Sequence, residues 1–345
     1  MKAAYQIVID GVDVSATFGP VLENMTLTDS DGGKSDTLDI IMNDMGGQLL
    51  LPRKGAPIQA LIWWAEVPPF SVPGAVSFSG VTDEPKSSGA RFAGMELSIS
   101  AKSADHAGTG KEKKNRQQDN TTFGAVAQQW GAECGLSVIV DPSLASIQRP
   151  YWAMQNESFF NWGRRVAREI GATFKIAHPK AVFVPRNSGQ SAAGQTLPVF
   201  PIVAPGNLKG WDMTPSAAAP AYASAQAFYY DPKTALYKMA SVSTGVSGAT
   251  ATYSGGFKAP DQERAQTRAQ NHADESARKS GGGSLETYGD PRAMSQANCT
   301  VSGARPGVDG SYRIKTARHV YSRGGGWGCS IEVEQPQGLA GTDSR

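Results

Sequence analysis

Apolar and polar positions alternate along much of the first hundred residues. Tyr5, Ile7 and Ile9 interleave with Gln6, Val8 and Asp10, the period-2 pattern of a half-buried β-strand. Comparable stretches follow at 25–28, 38–42, 58–64, 76–80 and 95–99, set apart by turn residues such as the Asp-Gly-Ser cluster at 29–35 and by Pro52 and Gly55. Six short strands at such spacing predict an antiparallel barrel or sandwich over residues 1–107.

The pattern changes after Lys102. Residues 102–120 are polar, carry Lys111, Lys113, Lys114 and Arg116, and read as a linker. Phe123, Val126, Ala127, Trp130 and Cys134 then recur at helical spacing behind Thr122, a candidate N-cap, and Gly135 stops that helix. A strand at 136–140, a helix at 159–170 capped by Ser158 and closed by Gly171, and strands at 173–177 and 181–184 complete a small α/β unit, 108–188. Residues 189–194 are small and polar, a linker composition. Strand character returns at 223–230 and 235–242. A long polar helix is expected at about 261–279, with Ala265, Ala269, Ala273 and Ala277 inward and Gly281, Gly282 and Gly283 at its end. Strands near 298–302, 312–321 and 329–333 follow. The expectation is a mainly β protein with an α+β insert: two antiparallel β units, 1–107 and 189–345, around a small α/β middle domain.

Composition narrows the function. At 345 residues with 40% hydrophobic, 8% aromatic and 19% charged residues, the chain can build two or three real cores. Lys and Arg total 33 against 31 acidic residues, a net charge of +2. A protein that grips nucleic acid through phosphates carries a larger excess, so no sequence-specific nucleic-acid partner is expected. No run of 18 apolar residues occurs and the N-terminus lacks an apolar targeting core, so neither a membrane span nor a leader is expected. The three cysteines make no disulfide scaffold. Cys299 and Cys329 could lie on neighbouring strands, either as buried thiols or as a bonded pair.

Candidate chemistry is scattered. His106, His178, His272 and His319 share no metal-binding spacing and no Cys-x-x-Cys pair exists, so no metal and no cofactor is expected. Gly108-Thr109-Gly110-Lys111 fails as a phosphate loop, with Asp at 105 and Glu at 112. Asp29 with Asp31, or Asp83 with Glu84, could be imagined as glycosidase carboxylates, yet they sit in turn-like sequence where acidic side chains serve turns. His319 is close in sequence to Asp309 and Cys329, without triad signals. No catalytic residue is assigned. Trp63 and Trp64 are adjacent on one strand and must point to opposite faces. One belongs inside; the other needs a cover that a subunit boundary would supply. Arg164, Arg165 and Arg168 share a helix with Glu169, as an exposed charged face or as a contact to a neighbouring chain. These five are the candidate inter-subunit contacts.

Four ordered patterns now add up. Ile9-Asp10-Gly11-Val12-Asp13-Val14 opens the chain. Thr28-Asp29-Ser30-Asp31-Gly32 precedes Ser35-Asp36-Thr37-Leu38-Asp39-Ile40. Residues 154–174 read MQNESFFNWGRRVAREIGATF, and Val308-Asp309-Gly310-Ser311-Tyr312-Arg313-Ile314 precedes His319. In order and spacing they resemble the phage late control gene D family, baseplate hub proteins of contractile-tailed phages. The resemblance implies two tail-tube-like barrels in one chain and a homotrimer with pseudo-sixfold symmetry, joining the tail tube to the central spike around a DNA channel. It further implies a non-enzymatic structural role at the virion tail tip, assembly in the host cytoplasm, and as partners the spike, tail tube or distal tail proteins and baseplate wedge proteins. The hub portion of a type VI secretion-like spike is the near alternative; those chains continue into a needle, which a separate partner would supply here. A tail-associated cell-wall hydrolase is the distant alternative, and it requires a catalytic constellation. One departure is Gly163, where a large apolar residue is expected. A mid-helix glycine costs about 1 kcal/mol relative to alanine, so close packing is expected there.

Overall fold

The computed structural model describes the chain except for residues 32–34, 91–93, 105–107, 178, 187–188, 190–194, 218–221, 247, 257 and 344–345. Its N-terminal part runs β1 (Ala3–Ile9), β2 (Val12–Asp13), the helical turn α1 (Ser15–Phe18), β3 (Leu22–Ser30), β4 (Thr37–Asn43), β5 (Pro57–Trp64), β6 (Ala75–Ala90) and β7 (Gly94–Lys102). All six expected strands are present, joined by the short β2, in the order β3-β4-β7-β6-β5-β1-β2. Alternation turns Ile58, Ala60, Ile62 and Trp64 of β5 inward, toward Leu38, Ile40 and Met42 of β4 and Leu97 and Ile99 of β7.

The middle of the chain holds β8 (Lys114–Thr122), α2 (Phe123–Ala132), β9 (Ser137–Val140), the short α3 (Pro142–Ala145), β10 (Gln148–Glu157), α4 (Phe159–Glu169), β11 (Ala172–Ala177) and β12 (Lys180–Pro185). The stretch read as a linker therefore contains a strand: β8 pairs antiparallel with β10 as a two-stranded ribbon. Most of its side chains face solvent, so no apolar alternation marks it. Strand β12 pairs antiparallel with β11 and parallel with β9. The core between these elements is aromatic, built from Phe123, Trp130, Trp152, Phe159, Trp162, Phe174 and Phe183. Ser158 caps α4 by accepting the Asn161 N–H, whereas Thr122 makes no side-chain cap on α2. Gly163 behaves as expected. A Cβ there would stand 2.8 Å from the Phe174 ring, so its absence lets α4 lie directly on β11.

Beyond residue 195 come β13 (Phe200–Val203), β14 (Leu208–Thr214), β15 (Ser224–Asp231), β16 (Leu236–Ser243), β17 (Thr252–Ser254), α5 (Gln262–Lys279), β18 (Gly282–Tyr288), β19 (Asn298–Ser302), β20 (Gly310–Ser322) and β21 (Gly326–Gln337). Strands β15 to β17 form a sheet of their own. Helix α5 covers it, Ala265 and Ala269 meeting Ala227, Tyr229 and Ala240. The pair expected at 223–242 thus lies outside the large sheet. That sheet continues instead as β14-β18-β21-β20, with β19 and β13 branching from β20.

Strand β20 pairs antiparallel with β3, from Thr316 opposite Ser30 to Ser322 opposite Asn24. The N- and C-terminal strands therefore share one 13-stranded sheet over two cores. Because β3 lies inside this sheet, Met25, Thr26 and Leu27 are buried in succession, on both of its faces.

Candidate functional site

Successive side chains of an extended strand alternate, so Asp29 and Asp31 emerge on one side at the end of β3. Asp29 accepts from Lys175 Nζ of β11, and from the Ser295 backbone N–H at 2.8 Å and hydroxyl at 2.7 Å. Lys175 also lies 3.1 Å from Asp36, whose other oxygen accepts the Ser30 N–H at 3.1 Å. Asp31 accepts from Arg313 Nη2 of β20 at 2.9 Å and from Thr173 Oγ1 of β11 at 3.3 Å. Arg313 reaches on to Glu334 of β21 at 3.3 Å, and Arg278 of α5 stands 3.9 Å from the same oxygen. The Arg313 and Asp31 side chains are only 2% and 6% exposed. One acidic corner thus ties both halves of the large sheet to the middle unit.

The corner sets its own charge states. Burial works to raise the Asp29 pKa, but the charge and hydrogen bond of Lys175 outweigh it and hold the carboxyl below its ordinary value. At Asp36, burial, joined by the charge of nearby Asp29, prevails over Lys175 and pushes the carboxyl up to about 6. Burial alone would lower Lys175; its two carboxylates raise it. Asp29 and Asp31, the pair considered for glycoside cleavage, are committed to cations, hydroxyls and a backbone donor, which leaves no free acid and base.

The other sequence candidates resolve individually. Trp327 donates to His319 Nδ1 at 3.3 Å, so Nε2 carries the proton and donates to the Ala293 carbonyl at 2.9 Å. This ring is buried, and burial lowers its pKa. Asp309 accepts the backbone N–H groups of Gly303, Ala304 and Arg305 at 3.1, 2.9 and 3.2 Å. The Tyr312 hydroxyl donates to the Val308 carbonyl at 2.6 Å, so the closing motif is a loop lock. Cys299 on β19 and Cys329 on β21 are free buried thiols on either side of β20, and burial pushes Cys299 up to about 12. His106 and His178 lie outside the described residues. Among the described residues no group of His, Cys, Asp and Glu could hold a metal, and no helix is long and apolar enough to cross a membrane.

Trp64 points inward, its ring 5.4 Å from that of Trp327, and donates to the Gly289 carbonyl at 2.8 Å. A Cβ on Gly289 would stand 2.1 Å from the Trp327 ring, so only glycine fits. The cover for Trp64 comes from β21 of the same chain. Trp63 is half-buried on the opposite face of β5. Arg165 is engaged by Glu157 at 2.5 Å, Glu169 at 3.0 Å and the Ala153 carbonyl at 3.0 Å. Arg164 is half-buried and Arg168 exposed. Arg165 and Arg168 line a cleft of about 680 Å³ shared with Arg186 and Arg268. Sequence reasoning assigned no role to Arg186, Arg268, Lys175 or Arg313. They come together from segments far apart in the chain, where no local pattern announces them.

Residues 45–325 match the family profile described as phage tail baseplate hub (GPD). Over 194 residues the chain is 31% identical to the "probable baseplate hub protein" of Escherichia phage P2, covering 56% of this chain and 48% of that protein. The chain spans about half the length of the curated relatives it matches. The 43 kDa tail protein of prophage MuSo2 from Shewanella oneidensis has the same fold, with a TM-score of 0.74 at 15% identity over 96% of this chain and 98% of its own. The E. coli c3393 protein, a type VI secretion component described as similar to T4 tail proteins gp27 and gp5, gives 0.54 at 11% identity, covering 98% of this chain and 79% of its own. At such identities these two structures speak for the fold alone.

Proposed function

This chain belongs to the phage tail baseplate hub (GPD) family, and on that premise we propose that it acts as a homotrimeric hub joining the tail tube to a central spike. The observation that carries this reading is the two-cored sheet, in which β3 pairs with β20 and one chain presents two β halves side by side. Three chains then supply six β units. That number faces a sixfold tube while the ring keeps threefold symmetry for a spike. In this reading each half is a tube-like barrel, 1–107 and 189–345. The α/β unit 108–188 and the α5 layer decorate the ring.

The role is structural rather than catalytic, with no cofactor. The lumen passes DNA, and a net charge of +2 keeps its grip weak. Partners are a second and third copy, the spike, tail tube or distal tail proteins and baseplate wedge proteins, at the virion tail tip after assembly in the host cytoplasm. Trp63, Arg164 and Arg168 are the contacts available to a neighbouring chain, with Trp64 and Arg165 supporting them from within.

Native mass spectrometry of the purified chain, with and without the spike protein, tests the proposal. The expected species has three times the 36.4 kDa chain mass; a strict monomer in both conditions rejects it. The fold likeness to the E. coli secretion component favours a second reading, the hub portion of a type VI-like spike. Copurification with phage particles separates the two.

A further inference from the structure

The cleft between α4, α5 and the loop after β17 carries more positive charge than its own carboxylates balance. Four arginines line it, Arg165, Arg168, Arg186 and Arg268, against Glu169 and Glu275. Both acids are already engaged. Glu169 pairs with Arg149 and Arg165 at 3.0 Å each, and Glu275 with Lys279 at 2.7 Å. Among the described residues, Arg168 and Arg186 have no carboxylate within ion-pair distance, and the buried Arg186 Nε has no hydrogen-bond partner. Burial and the nearby Arg278 and Arg313 disfavour the Arg186 charge, and Asp31 and Glu275 offset them only in part. A partly buried guanidinium with no carboxylate in direct contact is costly, and a ligand oxyanion lowers that cost.

We propose that this cleft binds a carboxylate presented by an acidic segment of a partner protein, held by Arg168 and Arg186. The walls are preorganised, since Asn271 of α5 donates to the Arg168 and Glu169 carbonyls at 3.0 and 3.2 Å and fixes the two helices together. Shape and sign favour a protein over nucleic acid. A phosphate backbone brings one charge per roughly 1.7 Å of duplex axis and would run it past Glu169 and Glu275. A single carboxylate meets only arginines. The inference is independent of the trimer, because a monomer keeps the cleft.

The test titrates the full chain with an N-acetylated Gly-Glu-Gly amide, which carries one carboxylate, following the imidazole NMR signals of His272, which lines the cleft. Saturable shifts are expected, weakening as salt rises. Arg168→Gln, at an exposed position where the fold is not at stake, should weaken binding roughly tenfold or more; Arg186→Gln should do the same. A tetralysine peptide should give no shift. Absence of saturation, or an Arg168→Gln affinity equal to the parent's, overturns the site. Tighter binding of inorganic phosphate or of an oligothymidylate than of the peptide overturns the choice of partner.

Discussion

Two of the molecule's internal joints are built from opposite chemistry. Between the two halves of the large sheet, the joint is a backbone ladder from β3 to β20 sealed by Trp64, Trp327 and Gly289. Where the middle unit meets that sheet, Lys175 and Thr173 of β11 dock on Asp29, Asp31 and Asp36. The ladder carries its polar groups in fixed pairs and its indoles in van der Waals contact, and it answers to pH only where the buried, neutral His319 ring would gain a proton. The ionic joint depends on which carboxylates hold protons. In the proposed ring, a backbone-paired seam between the β halves would suit the wall, and a charge-tuned mount an appended unit.

The largest expected effect strikes the first joint. Trp327→Ala removes a buried indole that packs on Trp64 and bonds His319, and should destabilise the protein by about 3–5 kcal/mol in urea unfolding. A loss under about 1 kcal/mol would mean the seam does not rest on this pair.

The second experiment asks how the ionic joint responds to pH. The Asp36 carboxyl sits at about 6 in the folded protein against an ordinary 3.8. A carboxyl raised on folding binds its proton more tightly in the native state. Its favourable contribution is therefore complete below pH 3.8 and is lost as pH climbs through 6. Asp29, held low, contributes the opposite way, losing stability as pH falls through its depressed folded-state value. Asp36→Asn should accordingly gain on the parent by up to about 3 kcal/mol between pH 4 and 7, a gain that Trp327→Ala should not reproduce. Parallel pH profiles for the parent and Asp36→Asn would contradict the account.

Smaller effects refine it. Lys175→Met leaves two neighbouring carboxylates without their cation; with the lysine side chain a quarter exposed, the expected loss at neutral pH is about 2 kcal/mol. Hydrogen exchange should show that loss concentrated in the middle unit, and uniform exchange across the large sheet would count against a local joint. Gly163→Ala sets a helix-propensity gain against a Cβ 2.8 Å from the Phe174 ring. A net loss of about 1 kcal/mol is expected in the same unfolding measurement, and a gain would mean that α4 can move off β11.

How much was legible followed how local the signal was. The strands over 1–107 alternate cleanly because one of their faces is buried. Helix α5 was readable from its alanine stripe and the glycines at its end; in the structure Asp261 caps it by accepting the Arg264 N–H. Strands β8, β13, β14 and β18 were among those that were not readable. The first is polar, the next two fall in a Pro- and Ala-rich stretch, and β18 opens on Gly282 and Gly283. Those glycines read as a helix stop, yet a Cβ on either would stand 2.2 Å from a neighbouring strand's carbonyl oxygen. The acidic residues of the second motif looked like turn formers because a turn is all that local sequence reports. Their partners, Lys175, Ser295 and Arg313, lie more than a hundred residues away.

By itself the sequence determined the mainly β character, the strands over 1–107, the helices α2, α4 and α5, and the family to which the chain belongs. These rest on periodicity, capping and motif order, which act within a few residues of each other. Tertiary structure alone decided that β3 joins β20, that Trp64 is covered by its own chain, that β15 to β17 leave the large sheet, and that four arginines meet across α4 and α5. Strand partners and charge pairs are chosen by burial and electrostatics between distant segments, and those energies exist only once the chain has closed on itself.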